Sequence, residues 1–215
     1  MPREQGLRER KKAQQRERIA DIAAGLFAER GYDGVSVLDV ARTANVSDQT
    51  IYNYFPAKHD LVLDRADEFR ELYGQAVLDR PEGSSPANAL RPLVAADIDR
   101  YRGDDARLSR GQFAVLCRES GVLRRFALEL REQQADRVVA ALGTTDASIP
   151  TIVARVHAAA LICVVQTITD QIGAHILAGT PTDIAAAEMA RACTTAFDHL
   201  DHTFPSLTPR TGDPS

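Results

Sequence analysis

The chain has 215 residues, 44% of them hydrophobic and 26% charged, so it can bury a sizeable core and is not globally disordered. Its formal net charge of −4 argues against a protein that binds nucleic acid indiscriminately over its whole surface. The three cysteines (Cys117, Cys163 and Cys193) form no C-x-x-C pair, which favours reduced core thiols over a disulfide framework, a zinc site or a redox sensor.

The first 18 residues are strongly basic, whereas the rest of the chain is acidic overall. They carry seven basic and three acidic side chains, a difference of +4. The basic residues are Arg3, Arg8, Arg10, Lys11, Lys12, Arg16 and Arg18. Such asymmetry is typical of a chain with one end that faces nucleic acid and a body that avoids it. Because this segment is charged rather than apolar, we predict no signal peptide.

Helical spacing of apolar residues predicts a first helix from about Ala13 to Arg30, ended by Gly31. Residues 35–55, VSVLDVARTANVSDQTIYNYF, then predict two short helices joined by a tight turn. Ser36 begins the first of them, and its S-x-x-D spacing to Asp39 indicates a capping box. The first short helix should run to about Ala44.

Asn45 lies where the backbone of this segment must turn, and Asn tolerates a left-handed conformation. Ser47 can cap the second short helix, which carries a run of polar side chains from Asp48 onwards. The helices, caps and turn together predict helix-turn-helix geometry at about residues 36–55. An ordinary helical hairpin with a polar outer face is the alternative.

Residues 18–63 resemble the N-terminal domain of the TetR family of bacterial transcriptional regulators. The residues that carry the resemblance are Ile19, Ala23, Leu26, Phe27, Gly31, Tyr32, Val40, Ala41, Ala44, Val46, Ser47, Thr50, Ile51, Tyr52, Tyr54, Phe55, Lys58 and Leu61. Two positions depart from the family pattern. Ala57 replaces a frequent Ser cap, which should weaken the next helix start by about 1 kcal/mol. Asp48 is unusual in a helix that faces phosphates, although it could accept from a cytosine amino group.

The resemblance implies DNA-binding roles for nine residues of this segment. They are Ser36, Ser47, Asp48, Gln49, Thr50, Tyr52, Asn53, Tyr54 and Lys58. Gln49 is the main candidate for a base contact, because an amide can pair bidentately with adenine. Thr50 could meet a base, the two tyrosines and Lys58 could meet phosphates, and Asn53 could do either. Residues 1–15 form an arm that either contacts DNA or is a solvated charged extension.

Nearly all of the remaining chain predicts helix, so we expect an all-α fold of about nine helices. The expected units are a basic arm (1–15), a helix-turn-helix domain (16–63), a helical regulatory and dimerisation domain (64–204) and a mobile tail (205–215). The fourth to seventh helices should cover about 57–78, 87–102, 106–118 and 122–142. The eighth should start near Pro150 and end before Gly179, and the ninth should run from about Thr182 to Phe204.

The eighth helix carries two apolar seams, and a helix that is apolar on two sides needs two partners. The first seam is Ala154, Ala158, Leu161, Val165, Ile168 and Ile172, and the second is Val153, Val156, Ala160, Cys163 and Val164. With the resemblance, the seams predict a homodimer through residues 150–204; core helices of a monomer are the alternative. The longest apolar stretch, 156–168, is short for a membrane span, so we expect a soluble, cytoplasmic protein.

By the resemblance, the larger domain should bind a small-molecule effector among its fifth to eighth helices. The candidate residues are Tyr101, Phe113, Leu116, Phe126, His157, Ile162 and Gln166, within a wider set that also includes Leu93, Ile98, Leu130, Thr169 and Asp170. His157 lies almost opposite Gln166 on a helical wheel, so a hydrogen-bonded core or interface histidine is its alternative role.

We therefore expect a homodimeric repressor that an effector releases from a palindromic operator, without cofactor or metal. A transcriptional activator and an architectural DNA-binding protein without effector are the alternatives. An enzyme would need a catalytic constellation. His157 and the pair Asp104–Asp105 are only weak candidates for catalytic residues. The pair indicates the start of a helix instead, and no known catalytic motif accompanies either of them.

Overall fold

The computed structural model describes residues 2–63, 66–103 and 113–204. Within these ranges it contains nine α-helices and no strand, which confirms the all-α prediction. The helices are α1 (Pro2–Arg30), α2 (Val37–Ala44), α3 (Asp48–Tyr54), α4 (Ala66–Leu78), α5 (Pro86–Gly103), α6 (Phe113–Glu119), α7 (Gly121–Thr145), α8 (Thr151–Ala178) and α9 (Thr182–Thr203). The pair Asp104–Asp105, the predicted start of the sixth helix and the tail 205–215 lie outside the described residues.

The chain forms two compact units. The first contains Met1–Asp64 together with Asp105–Leu123, and the second contains Arg65–Asp104 together with Arg124–Ser215. The first unit thus includes α6, which we had expected in the larger domain. Four consecutive residues of α6, from Ala114 to Cys117, are buried, and the Ser120 hydroxyl lies 3.4 Å from Asp33.

The core of the first unit forms where α2 packs against α1 and α3. Ile19, Ala23 and Phe27 of α1 are buried, as are Val40 of α2 and Ile51 of α3. Helix α1 begins at Pro2 rather than near Ala13, so the expected arm is helical. Its first turns have Pro at the first helical position, where proline is tolerated, followed mainly by strong helix formers.

The core of the second unit is built from α4, α5, α7, α8 and α9. Helices α4 and α7 cross closely at Gly74, where an added Cβ would lie 2.7 Å from the Cβ of Arg137. All six residues of the first seam of α8 are buried, which confirms that this face packs on its own chain.

The second seam of α8 behaves differently, because its residues are exposed or half-buried. The expectation of a core thiol is therefore wrong for Cys163, which lies exposed on this seam, whereas Cys117 and Cys193 are buried. The structure also extends the helix around the apolar stretch 156–168 to 28 residues. By length and composition alone, α8 could cross a membrane, a criterion that core helices of soluble proteins also meet.

The segment after α3 is a short 3-10 turn (Lys58–Leu61), and α4 is described from Ala66. Ala57 supplies no side-chain cap to this turn, because alanine has no polar side-chain atom. The Asp60 carboxylate nevertheless accepts a hydrogen bond from the Ala57 N–H at 2.8 Å, so one half of a capping box is present.

Candidate functional site

Helix α2 is fixed at its start by the predicted capping box. The Asp39 N–H donates to the Ser36 hydroxyl oxygen at 3.1 Å, and the Ser36 N–H donates to the Asp39 carboxylate at 2.8 Å. The Ser36 hydroxyl also donates to the Asp39 carboxylate at 2.5 Å, and this bond, followed by the one from the Ser36 N–H, holds the pKa of Asp39 below its usual value. Val35 and Val40, which flank the cap at the spacing of a hydrophobic staple, are both buried.

The turn between α2 and α3 has the conformation predicted for Asn45. Its φ of 54° and ψ of 49° are left-handed, and among the described residues no other non-glycine has a positive φ. The Val46 N–H donates back to the Ala41 carbonyl at 3.0 Å. Ser47 then caps α3 by accepting from the Thr50 N–H at 3.1 Å. The turn geometry is therefore set by local hydrogen bonds.

Helix α3 presents a polar outer face. Four of the predicted DNA-contacting residues are exposed on it, and Ile51 is fully buried on the opposite side. The exposed residues are Asp48, Gln49, Tyr52 and Asn53. The Gln49 amide donates to the Asn53 side-chain oxygen at 3.3 Å, a long bond that an incoming base edge could replace. Ser36 and Ser47 are also exposed, whereas Thr50 and Tyr54 are half-buried.

Lys58, the remaining predicted DNA contact, packs against Tyr32 within the first unit. Its ammonium nitrogen lies 4.0 Å from the centroid of the Tyr32 ring, within cation–π distance. Burial lowers the pKa of Lys58, and the nearby Asp33 opposes that shift. To contact a DNA phosphate, the Lys58 ammonium would have to leave the Tyr32 ring, or to bind the phosphate while it stays over that ring.

Two arginines of α1 hold the ends of the short helices, a role that the sequence analysis missed. Arg16 donates to the Tyr54 carbonyl at 2.8 Å, and Arg18 donates to the Ala44 carbonyl at 3.2 Å. The Arg16 guanidinium also lies over the Phe55 ring, 4.5 Å from its centroid. No sequence signal marks these contacts, because the bonded residues are 38 and 26 positions apart.

The predicted ligand-binding residues divide between the two compact units. Phe113, which is half-buried, and Leu116, which is buried, belong to the first unit. Tyr101 and Ile162 are buried in the core of the second unit, and Phe126 is a half-buried residue of the same unit.

Gln166 lies in a polar network that joins three helices of the second unit. Its amide oxygen accepts from Arg131 at 2.8 Å, and its amide nitrogen donates to Gln134 at 3.0 Å. Arg131 also binds both carboxylate oxygens of Asp170, at 2.7 and 2.8 Å. Gln134 in turn donates to the Phe69 carbonyl of α4 at 3.0 Å. The network ties α8 through α7 to α4 within this unit.

His157 is a buried histidine, but within the described chain it is not the hydrogen-bonded core histidine that was one of its expected roles. It is 1% exposed, and neither ring nitrogen has a hydrogen-bond partner among the described residues. Its ring meets the edge of the Phe204 ring at a centroid distance of 4.2 Å, and Asp201 pairs with Arg91 instead. Burial lowers the pKa of His157 to about 4, against the opposing charge of Asp201. The Tyr101 hydroxyl is likewise buried without a partner in the described ranges.

A groove of about 170 Å³ lies between α5 and α9. Its lining residues are Arg91, Ala95, Ile98, Asp99, Arg102, Ala190, Cys193, Thr194 and Phe197. Ile98 alone belongs to the predicted set. The groove is smaller than the roughly 300–1,000 Å³ typical of sites for small organic ligands. In residues 2–63, 66–103 and 113–204, no cluster of three or more His, Cys, Asp or Glu is placed to hold a metal ion.

Comparison with known sequences places the short helices in a family. Residues 19–64 match the family described as bacterial regulatory proteins, tetR family. The chain is 26% identical to the transcriptional regulator TcmR of Streptomyces glaucescens over 147 residues, which cover 65% of each protein. It is 35% identical to the fatty acid metabolism regulator protein of Bacillus subtilis over 115 residues, or 54% of this chain and 56% of that protein. The chain thus spans about two thirds or less of these relatives' length.

Solved structures share the fold. A TetR-family regulator from Mesorhizobium loti superposes with a TM-score of 0.56 at 18% identity, covering 89% of this chain and 96% of that one. Bacillus subtilis FadR, solved in complex with stearoyl-CoA, gives a TM-score of 0.55 at 20% identity, covering 86% and 96%. The family match over residues 19–64 and the capped helix-turn-helix within them support a TetR-family regulator, and the relatives named above are themselves regulators.

Proposed function

We propose that this chain is a homodimeric transcriptional regulator that inserts α3 into the major groove of a palindromic operator. The observation that carries the proposal is the outer face of α3, where Gln49 and Asn53 are exposed while Ile51 anchors the opposite side. A helix with this arrangement can enter a groove about 12 Å wide and present amide groups to base edges.

A gel-shift or anisotropy titration on the DNA upstream of the chain's own gene tests this reading. Gln49→Ala should weaken binding about 5- to 150-fold and relax the preference for one base pair, because a bidentate contact contributes about 1–3 kcal/mol. The matched control is Gln75→Ala, since Gln75 is also exposed and also bonds a residue four positions later, Asp79. Equal binding by both variants would contradict the proposed contact.

Electrostatics gives a second test of the same proposal. A dimer that makes six to ten phosphate contacts should lose about 10³- to 10⁵-fold in affinity between 50 and 200 mM salt. Binding without sequence preference would favour the architectural alternative, and a flat salt dependence would contradict a protein–DNA interface of this kind.

The dimer is proposed because α8 exposes apolar side chains on one line. Ile152 is 74% exposed and Val156 is 55% exposed, and with Cys163 they follow one another at helical spacing. The first seam of the same helix is fully used by its own chain. A second copy related by a two-fold axis would bury the exposed line, and reading two successive major grooves requires two copies of α3 about 34 Å apart, one turn of duplex DNA.

Charge substitution on α8 tests the dimer. Val156→Glu should convert the dimer to a monomer in sedimentation velocity at micromolar concentration, because a carboxylate would be buried without a partner. Leu128→Glu is the matched control, since Leu128 is 56% exposed on α7 of the same unit. A dimer that survives the first substitution, or one that both substitutions disrupt equally, would exclude the α8 line as the interface.

We further propose that a small-molecule effector binds the second unit and releases the DNA. Tyr101 and His157 support this, because both were predicted ligand residues and both bury polar atoms without a partner in the described ranges. FadR of Bacillus subtilis binds stearoyl-CoA in its structure. For release, the effector must bind more tightly to the dimer in which the two α3 helices have a spacing that does not fit DNA. The coupling free energy between effector and DNA binding is typically about 1–3 kcal/mol.

Long-chain acyl-CoA is the first effector class to test. Stearoyl-CoA should dissociate the protein–DNA complex in an anisotropy assay, whereas free CoA at the same concentration should not. Release by CoA alone, or by stearate acting as a detergent on an unrelated regulator, would exclude specific recognition of the thioester. Tighter DNA binding with the effector would instead support the alternative of an effector-activated regulator.

A further inference from the structure

We propose that Arg16 of α1 is a positioning residue for base recognition: it orients α3 without touching DNA. The inference rests on the proposed function for its consequence in DNA binding, while the anchor itself belongs to the free protein. The contact joins α1, the basic N-terminal helix, directly to the C-terminal end of α3.

Two contacts define this anchor. Arg16 donates to the carbonyl of Tyr54, the last residue of α3, at 2.8 Å. Its guanidinium carbon lies 4.5 Å from the centroid of the Phe55 ring, and Phe55 is 1% exposed. A guanidinium at this end also complements the partial negative charge of a helix C-terminus.

Few other contacts fix the direction of α3. It is seven residues long, and Ile51 is its buried residue. Ser47 fixes its start through the Thr50 N–H, and the Phe55 N–H closes its last turn on the Ile51 carbonyl at 2.8 Å. A helix this short is marginal by itself, so its direction depends on tertiary contacts at both ends. Arg16 supplies such a contact at the C-terminal end.

Arg18 provides the corresponding contact for α2. It donates to the carbonyl of Ala44, the last residue of that helix, at 3.2 Å. Residues two apart on a helix point about 200° from one another, so the two arginines leave α1 on nearly opposite sides. Helix α1 thereby holds the ends of both short helices. Arg16 makes the shorter bond and adds the aromatic contact, so it should have the larger effect on α3.

A positioning role and a phosphate-contacting role make different predictions. A lost phosphate contact weakens specific and non-specific binding together and lowers the salt slope by about 1. A lost anchor leaves the salt slope unchanged and weakens mainly binding to the operator, because base contacts need the correct orientation.

The experiment compares Arg16→Met with Arg10→Met, which removes the same charge from the same helix. Operator and random-sequence affinities are measured at several salt concentrations, and amide hydrogen exchange of residues 50–55 is measured on the DNA-free proteins. Arg16→Met should reduce the ratio of specific to non-specific affinity about tenfold at unchanged salt slope, as expected for the loss of a charged hydrogen bond. It should also speed exchange in α3 about tenfold. Arg10→Met should leave both the ratio and the exchange as in the parent.

Several results would overturn the proposal. One is equal loss of specific and non-specific affinity with a reduced salt slope, which would make Arg16 a phosphate ligand. Another is an equal loss of the affinity ratio in Arg10→Met, which would make net charge the cause. Unchanged exchange in α3 would overturn the anchor even if no operator were found, whereas faster exchange without any specific DNA binding would reject the proposed function alone. If circular dichroism shows Arg16→Met to be unfolded, Arg16→Lys replaces it, because lysine keeps the charge but lacks the planar fork.

Discussion

Acidification should destabilise the second unit through His157. The ring is 1% exposed and its two nitrogens have no hydrogen-bond partner among the described residues, so the folded state disfavours the charged form. Its pKa is lowered from 6.5 to about 4, mainly by burial, whereas Asp201 acts in the opposite direction. The unfolded chain therefore takes up this proton at higher pH than the folded chain.

The sign and size of the effect follow from this difference. The contribution is fully present above pH 6.5 and is lost as the pH falls towards about 4, because the unfolded state binds more protons in that interval. A difference of about 2.5 pH units corresponds to about 3 kcal/mol at 1.36 kcal/mol per unit. A loss of this size is a substantial fraction of the stability of an ordinary domain.

Urea unfolding at pH 7, 6, 5 and 4.5 measures the effect, and an NMR titration of the imidazole reports the pKa of His157 directly. His157→Leu should abolish this part of the pH dependence. At pH 7 it should be neutral or stabilising, because it replaces two unsatisfied buried nitrogens by apolar atoms of similar volume. His199→Leu, which removes an exposed histidine of α9, is the matched control. An NMR pKa near 6.5, or an unchanged pH dependence in His157→Leu, would refute the reasoning.

Two further predictions concern helix geometry and need only thermal or urea unfolding. Gly74→Ala should destabilise the second unit by about 1–3 kcal/mol, because its Cβ would lie 2.7 Å from the Cβ of Arg137. Gly143→Ala, in α7 with no atom within 4 Å of the added Cβ, should instead stabilise by up to about 1 kcal/mol, and equal effects would contradict the close crossing. Ala57→Ser should stabilise the 3-10 turn by about 1 kcal/mol, because Asp60 already supplies the other half of a capping box; no gain would show that the hydroxyl does not reach the turn.

The helix-turn-helix could be predicted from sequence because its determinants are close together along the chain. Ser36 and Asp39 are three positions apart, as are Ser47 and Thr50, and their hydrogen bonds form within one helical turn. The left-handed Asn45 follows from the same local chemistry. The two seams of α8 were also readable, because helical periodicity alone assigns residues to faces.

The effector residues were harder to predict, because periodicity marks buried positions without saying which neighbours they meet. Phe113 and Leu116 read as apolar helix positions like Ile162, yet they belong to a different compact unit. The start of α1 was missed for a related reason. A charged segment with strong helix formers continues a helix wherever no residue interrupts it, and composition alone indicated only a basic arm.

Local sequence thus determined the helices, their caps and the polar face of α3, since each depends on residues within about four positions of one another. Tertiary structure alone decided that Arg16 reaches the Tyr54 carbonyl across 38 positions, and that His157 is buried beside Phe204 without a hydrogen bond. Such contacts depend on how whole helices pack, and packing reflects the shapes of many side chains at once.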